Sequence, residues 1–461
     1  MDKRETIERL VKESYEKGGF NGTWLYAENG EIVSKGALGF SDTEDSVPVR
    51  EDSIFQLASV SKQFTTAAVM LAFRQGLMDP DDRITKFFPE LTAYDGATVR
   101  NLLNHTSGIP DYFEDLDWFL KKWKEEKRIP GNGEIVDFIC GSKLEPSFAP
   151  GEKYEYSNTG YNLLALLVEK LSGVPYEEFL QKNIFDPAGM SSTHACHIRR
   201  DGVPFEGLAR ATVPEDGRWV FDIDSRDYAD IVNSVDGLNG DDYVFTNIFD
   251  LFAWDRALRE GKVLTADEQR IMYTPGKLNS GENAMYYEEE GMSYGFGWAV
   301  VNDEENGLVV SHSGGMPGVA TWFERFIDRD RVLIILNNRE ALDMRASDSG
   351  WEAVRDIAFG REPRQVISVE DIAVKDPDRS KWESFCGKYE HPEDTDLIVD
   401  EVYKKDGELW IRTVDEDGIW NDWMLYPLGE DKFGRKGGMI ELTFGEGSVT
   451  YLKKTCKKLQ G

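Results

Sequence analysis

Short strand-like segments stand on both sides of a long helix-rich middle, and a further all-β stretch ends the chain. Residues 23–27 and 32–36 flank Glu28-Asn29-Gly30-Glu31, where Asn-Gly favours a tight primed turn and therefore a hairpin. Residues 59–270 follow a helical pattern, with apolar periodicity over 60–77 and 161–171. From about residue 292 the pattern returns to strands, at 294–301, 308–311, 319–327 and 332–337, with Asp328-Arg329-Asp330-Arg331 joining the last two. Connections this short argue for an antiparallel sheet, and a helix over 350–359 can lie across it. At 461 residues the chain exceeds one ordinary core and predicts two or three structural units. Residues 361–380 are charged, carry Pro363 and Pro377, and read as a linker. Beyond them, 385–389, 397–403, 408–414, 423–428, 439–444 and 449–452 read as six short strands, with turns at Lys405-Asp406-Gly407 and Asp417-Gly418. The expected division is 1–360 with a helical insertion over roughly 60–270, a linker at 361–380, and an all-β meander or barrel at 381–461.

The formal charge of −32, from 85 acidic against 53 basic residues, disfavours nucleic acid and anionic membrane as partners. It reads as a solvated acidic surface. Hydrophobic residues make up 40%, enough for globular cores, but no apolar run approaches the ~20 residues that span a bilayer. Met1-Asp2-Lys3-Arg4-Glu5 runs straight into an amphipathic helix with Ile7, Leu10, Val11 and Tyr15 on one face. No apolar leader is visible, so the expectation is a cytoplasmic protein, or an exported one whose leader has been removed. Cys140, Cys196, Cys386 and Cys456 are scattered, lack Cys-x-x-Cys spacing, and read as reduced thiols.

Three short motifs occur in a fixed order: Ser59-Val60-Ser61-Lys62, Tyr156-Ser157-Asn158 and His312-Ser313-Gly314. Ser-x-x-Lys puts hydroxyl and amine one helical turn apart on one face, where a neutral or proton-sharing amine can activate the oxygen. The chain holds a decoy, Ser14-Tyr15-Glu16-Lys17, expected on the exposed face of the first helix. Ser59 differs in context, because the apolar lead-in Phe55-Gln56-Leu57-Ala58 drops it at the start of a long helix. A helix start offers free N–H groups beside a developing oxyanion. Tyr156 can relay a proton if nearby cations lower its pKa, and the Asn158 amide can hold a substrate carbonyl. The same segment also reads as a helix N-cap at Ser157 or Asn158, and both readings can hold together. His312 ends an apolar strand whose small residues let another backbone approach, and it could donate a hydrogen bond or share a proton; taken alone, the segment reads first as an ordinary strand followed by a glycine turn. Taken together, the three motifs are the parts for acyl transfer through a covalent serine ester.

The remaining histidines are less telling. His105, in Leu102-Leu103-Asn104-His105-Thr106-Ser107-Gly108, reads as a residue that stitches a loop together after a helix. His194-Ala195-Cys196-His197 lacks a fourth ligand for a metal, and His391 falls in a turn of the last domain. There is no Gly-x-Ser-x-Gly elbow and no phosphate-binding glycine loop.

Residues 55–62, 102–110, 156–161, 294–298 and 312–318 resemble the serine β-lactamase-related family, the group of class C β-lactamases, penicillin-binding proteins, D-aminopeptidases and esterases. The similarity is greatest to soluble penicillin-binding proteins with an extra C-terminal β domain; it spans about residues 5–360 and is weak over the last domain. The resemblance implies an α+β fold: an antiparallel sheet flanked by helices, a helical subdomain, an active site between them, and an appended small all-β domain. It implies Ser59 as nucleophile, Lys62 as its proton partner, Tyr156 as general base and later acid, and Asn158 positioning the substrate amide. His312, Ser313 and Gly314 would bind substrate, and the backbone N–H groups of Ser59 and Gly315 would form the oxyanion hole. How the proton divides between Lys62 and Tyr156 stays open. His312 stands where many relatives carry lysine, and a histidine of ordinary pKa is only about a quarter charged at pH 7. That favours amide or ester substrates over those held by a terminal carboxylate. The expectation is a hydrolase of small D-configured peptides or amides, without metal or organic cofactor and with a possible homo-oligomeric state. The alternatives are a promiscuous carboxylesterase, a weak β-lactamase, or a penicillin-recognising protein that is acylated but hardly turns over.

Overall fold

The computed structural model describes residues 2–459 apart from 143, 216–217, 227, 289–290, 340–349, 391–396, 416–419, 436–440 and 452–453. His391 and the Asp417-Gly418 turn lie outside the described residues, as do Met439 and Leu452 of the expected strands. Two compact units are present, one of residues 21–340 and one of 1–20 with 341–461.

The first unit is built on an eight-stranded antiparallel sheet. In chain order its first strands are β1 (Gly22–Glu28) and β2 (Glu31–Leu38), joined by Asn29 and Gly30 at positive φ, as a type I′ turn requires. Between these and the rest come short β3 (Phe55–Gln56), β4 (His194–Ala195) and β7 (Val244–Thr246), which form a small sheet, and the ribbon β5 (Thr212–Glu215) with β6 (Arg218–Phe221). The main sheet resumes with β8 (Met285–Tyr287), β9 (Met292–Tyr294), β10 (Ala299–Asp303), β11 (Gly307–Met316), β12 (Val319–Phe326) and β13 (Arg331–Asn337). Its order is β2-β1-β13-β12-β11-β10-β9-β8, so the N-terminal hairpin closes onto the last strand and residues 39–284 form one long insertion. The strand expected over 294–301 is two strands, because Gly295 and Gly297 break it where the chain crosses the helices. A Cβ on Gly295 would meet the Met272 carbonyl oxygen at 2.2 Å, and one on Gly297 the Thr66 hydroxyl at 2.4 Å.

We label helices α1 (Lys3–Glu16), α2 (Lys62–Arg74), α3 (Asn158–Ser172), α4 (Ile248–Arg259) and α5 (Trp351–Phe359). The insertion carries α2, α3 and α4; α1 and α5 belong to the second unit. α2 and α3 are buried along most of their lengths and share one core with Leu25, Val310, Phe323 and Ile334 of the sheet. α4 is tied to β12 by buried Asp255, which accepts from Arg325 Nε at 2.7 Å.

In the second unit α1 buries Ile7, Leu10, Val11 and Ser14. Ser14 is therefore not on the exposed face, and the i, i+3, i+4, i+7 stripe explains why. It meets Gly350 at the start of α5, where a Cβ would approach Ser14 Cβ at 2.6 Å. Within 361–380 the chain forms a short helix, Val369–Ile372, and the Val374 N–H donates to the Pro427 carbonyl at 2.7 Å. The C-terminal domain is a closed barrel of eight strands: β14 (Gly387–Glu390), β15 (Leu397–Lys405), β16 (Glu408–Asp415), β17 (Trp420–Pro427), β18 (Lys432–Arg435), β19 (Glu441–Gly445), β20 (Ser448–Tyr451) and β21 (Lys454–Lys458). The two strands beyond the expected six are short and basic, and each turns one apolar residue inward, Phe433 and Cys456. Among the tryptophans of the barrel, Trp423 packs against this core and Trp410 is half-buried.

Candidate active site

Ser59 sits in a 3-10 turn, Ala58–Ser61, that runs into α2. Ala58 has φ +48°, a left-handed conformation costing a non-glycine residue roughly 1–2 kcal/mol. Two contacts hold the turn in place. The Thr321 hydroxyl donates to the Leu57 carbonyl at 2.6 Å, and β11 lies against the turn at Gly314, where a Cβ would meet Leu57 O at 2.1 Å. Gly314 is thus required for the strand to lie this close, and the next residue, Gly315, is exposed with open space around it.

One helical turn on, Lys62 has no exposed surface. Its ammonium donates to Ser59 Oγ at 3.0 Å, Asn158 Oδ1 at 2.7 Å and the Asp241 carbonyl at 3.0 Å. Burial lowers its pKa to about 8, against the raising effect of the Asp241, Asp111 and Asp242 carboxylates. The orientation of Asn158 is set from behind: its backbone N–H and its Nδ2 both donate to Asp111 Oδ2, at 2.6 and 2.9 Å, which turns Oδ1 toward Lys62. Ser157 caps α3, its hydroxyl accepting from the Gly160 N–H at 3.3 Å, so the capping and site readings of this segment coexist.

Tyr156 is half-buried, with Lys62 Nζ 4.9 Å from its ring centroid, and the Ser59 hydroxyl acts on its phenol. Burial raises its pKa well above the ordinary value, with Tyr286 adding to the rise, so the phenol is neutral near pH 7. His105 holds this segment. Its Nδ1 accepts from the Ser157 N–H at 3.1 Å, its carbonyl accepts from the Glu155 N–H at 3.0 Å, and its ring lies 4.3 Å from that of Tyr156.

β11 continues as a strand through His312, Ser313 and Gly314 to Met316, so the glycines are not its end. β10 pairs with it only as far as Ala299↔Ser311, leaving residues 312–316 paired among the described residues on the β12 side alone. A backbone added here would extend the sheet. His312 itself is buried. Its Nδ1 donates to the Ser313 carbonyl at 2.6 Å and its Nε2 accepts from Tyr294 Oη at 2.8 Å. Burial and nearby Lys62 lower its pKa to about 3, so the ring is neutral and offers no cation, less even than an ordinary histidine. Tyr286 stands over the open half of the strand, its Oη 3.4 Å from Ser313 Oγ and its ring stacked 6.0 Å from Tyr156.

Sequence reasoning missed Asp111, Asp241, Asp242, Tyr286 and Tyr294. Asp111 directly follows the 102–110 motif, the one local signal for it. The structure brings together Ser59, Lys62, Tyr156, Asn158, Gly314 and Gly315, with His312 behind Tyr294. His194 and His197 lie elsewhere: His194 stacks on Phe205 at 4.6 Å, and His197 bonds the Asp236 carbonyl at 2.6 Å and Glu177 Oε1 at 3.1 Å. Among the described residues no His, Cys, Asp or Glu group is arranged to hold a metal, and no helix is long and apolar enough to cross a membrane.

The Beta-lactamase family model matches residues 7–356. The chain belongs to that family. It is 32% identical over 452 residues to Penicillin-binding protein 4* of Bacillus subtilis (strain 168), covering 96% of this chain and 94% of that one. Among solved structures it resembles the octameric penicillin-binding protein homologue from Pyrococcus abyssi, with TM-score 0.66, 20% identity, and coverage of 99% and 100% of the two chains. It also resembles the D-amino acid amidase from Ochrobactrum anthropi SV3, with TM-score 0.61, 23% identity, and coverage of 77% and 100%. These likenesses give the β-lactamase/transpeptidase fold to the sheet and its helical insertion. The first extends over the barrel as well.

Proposed function

We propose that the protein is a serine hydrolase acting through an acyl-Ser59 intermediate on small D-configured peptides or amides. The observation that carries this reading is the hydrogen-bonding of Lys62. Asn158 Oδ1 and the Asp241 carbonyl can only accept, so they occupy two N–H groups of the amine. A neutral Lys62 then has its lone pair aimed at the Ser59 hydroxyl, 3.0 Å away. With a pKa lowered to about 8, the neutral form is accessible near pH 7.

Ser59 Oγ attacks the substrate carbonyl while its proton passes to Lys62. The backbone N–H groups of Ser59 and Gly315 take the oxyanion. Tyr156, a neutral phenol beside Lys62, gives its proton to the leaving nitrogen and is restored from Lys62. Water then attacks the ester carbonyl and gives its proton to Lys62; as the acyl C–Oγ bond breaks, a proton returns to Ser59 Oγ and the carboxylic acid leaves. The base role thus falls on Lys62 and the acid role on Tyr156. Asn158 keeps one amide hydrogen for substrate after donating the other to Asp111.

The substrate class rests on three supports: the relation to a penicillin-binding protein, the similarity in fold to a D-amino acid amidase, and the neutral His312. With no fixed cation at that strand, a terminal carboxylate gains little there, which favours amides and internal bonds. The octameric homologue supports an oligomeric assembly as part of the same reading.

The test is intact-mass spectrometry of the protein and of Ser59→Ala after a fluorescent penicillin and, separately, a fluorophosphonate. A Ser59-dependent adduct with both, together with faster turnover of D- than L-phenylalanine amide, is expected. Labelling by the fluorophosphonate alone with rapid p-nitrophenyl ester cleavage would make it an esterase. A penicillin adduct without turnover would make it a binding protein, and no adduct with either reagent would end the enzyme reading.

A further inference from the structure

A cavity of about 340 Å³ lies outside the site described above, and its lining includes none of Ser59, Lys62, Tyr156, Asn158 or His312. That size is within the range of small-molecule sites, ~300–1,000 Å³. Its walls are largely apolar, with Ile198, Leu208, Ile223 and Phe245 among them, and Val203 at the rim is 48% exposed. Two arginines face it, and they are in opposite electrostatic states.

Arg199 is buried and neutralised by Asp222 and Asp236. Arg210 is half-buried with its guanidinium 3.6 Å over the Phe221 ring; its backbone carbonyl accepts from Asn338 Nδ2 at 2.9 Å, but the guanidinium has no hydrogen-bond or ion-pair partner among the described residues. The nearest carboxylates act on it only through space: Asp222, already held by Arg199, and Asp224. An unpaired, partly desolvated guanidinium is unfavourable unless an anion meets it, and this one occurs in a chain of net charge −32. Burial lowers its pKa, which states the same cost in another form.

We propose that this cavity binds a small organic monocarboxylate, its carboxylate paired with Arg210 and its apolar body against Ile198, Leu208, Ile223 and Phe245. A planar guanidinium, stacked and open at its edge, suits the two oxygens of a carboxylate. A single cation with Asp222 and Asp224 nearby disfavours a dianion such as phosphate, and the apolar walls call for a hydrocarbon body. The cavity adjoins the nucleophile turn from behind. Ala211 packs against Ala58, and Gln56 donates to Asp242 at 2.8 Å.

The test is calorimetric titration of 3-phenylpropionate and of its neutral amide into the full-length Ser59→Ala protein, in which acyl chemistry is absent. The acid should bind at one site per chain, and the amide about tenfold more weakly or worse. Arg210→Met, which keeps the stem over Phe221, and Ile223→Trp, which fills the cavity, should each cost the acid a similar factor. Equal binding of acid and amide, unchanged binding in either variant, or no saturable binding would overturn the proposal. The acid–amide comparison needs no substitution at the cavity, so it decides even if a variant misfolds. Failure here leaves the acyl-Ser59 reading untouched.

Discussion

Two segments of the chain carry the same Ser-x-x-Lys spacing, and they are built in opposite ways. In Ser14–Lys17 the serine is fully buried against Gly350, while the lysine reaches outward to Asp371 and the Val366 carbonyl, both at 2.6 Å. In Ser59–Lys62 the lysine is the buried member and the serine is accessible. Lys17 is an ordinary surface ion pair. Lys62, without exposed surface and held by an amide oxygen and a backbone carbonyl, has its pKa lowered by burial to about 8. Spacing alone therefore carries little chemistry; which of the two side chains is desolvated decides it.

The largest effect that can break this comparison is at the serines. Ser59→Ala should lower amide turnover by about 10⁴-fold or more and abolish the acyl adduct, while Ser14→Ala leaves both unchanged. Turnover surviving in Ser59→Ala, measured with the same substrate, would place the nucleophile elsewhere. Next comes the lysine. Lys62→Arg keeps charge and approximate length but cannot present a lone pair, so turnover should fall by about 10³-fold at every pH up to 10. Recovery of the arginine variant to within tenfold would show that a fixed cation suffices and that another group, such as Tyr156, is the base.

A third experiment sharpens the role of burial. The ionised Asp242 carboxylate favours the charged form of Lys62, and Asp242 itself is raised to about 7 by its own burial. Asp242→Asn should lower the Lys62 pKa, so the rising limb of kcat/KM against pH should move down from about 8, by about one unit or less. Below pH 6, where Asp242 already carries its proton, variant and parent should converge. The stability consequence has its own sign. A carboxyl raised from 3.8 to about 7 binds more protons in the folded than in the unfolded state, so folding stability declines as pH rises across that window. Denaturant titrations at pH 5 and 8 should show a smaller decline in Asp242→Asn. A limb that moves upward would mean the carboxylate acts on another group.

The ease of reading these features from sequence follows the same physical division. Ser59, Lys62, Tyr156 and Asn158 sit in contiguous motifs whose spacing matches a helical turn or a helix cap, so local pattern suffices. Asp111, Asp241 and Asp242 act on Lys62 and Asn158 but are three among 85 acidic residues, and only the fold separates them from the solvated majority. The hairpin at Asn29-Gly30 and the strands β12 and β13 were legible from turn chemistry and apolar runs. The break between β9 and β10 was not, because it reflects close contacts of Gly295 with Met272 and Gly297 with Thr66 that are remote in sequence. In the barrel, Lys432–Arg435 and Lys454–Lys458 hide their strand character because charge dominates and each supplies so few inward residues.

The smallest expected effect belongs to the decoy's lysine, and it tests the comparison from the other side. Lys17→Met removes an ion pair whose side chains are 28% and 45% exposed. Solvent screening and side-chain entropy leave little net gain in such a pair. Turnover should be unchanged and the melting temperature should move by no more than ~2 °C, less still at high salt. The hydrogen bond to the Val366 carbonyl is the remaining structural tie, and Lys17→Arg, which can keep it, separates that bond from the charge. A clear loss of turnover in Lys17→Met, with the fold intact by circular dichroism, would mean that this segment reaches the reaction after all. The contrast drawn between a buried amine and an exposed one would then lose its control.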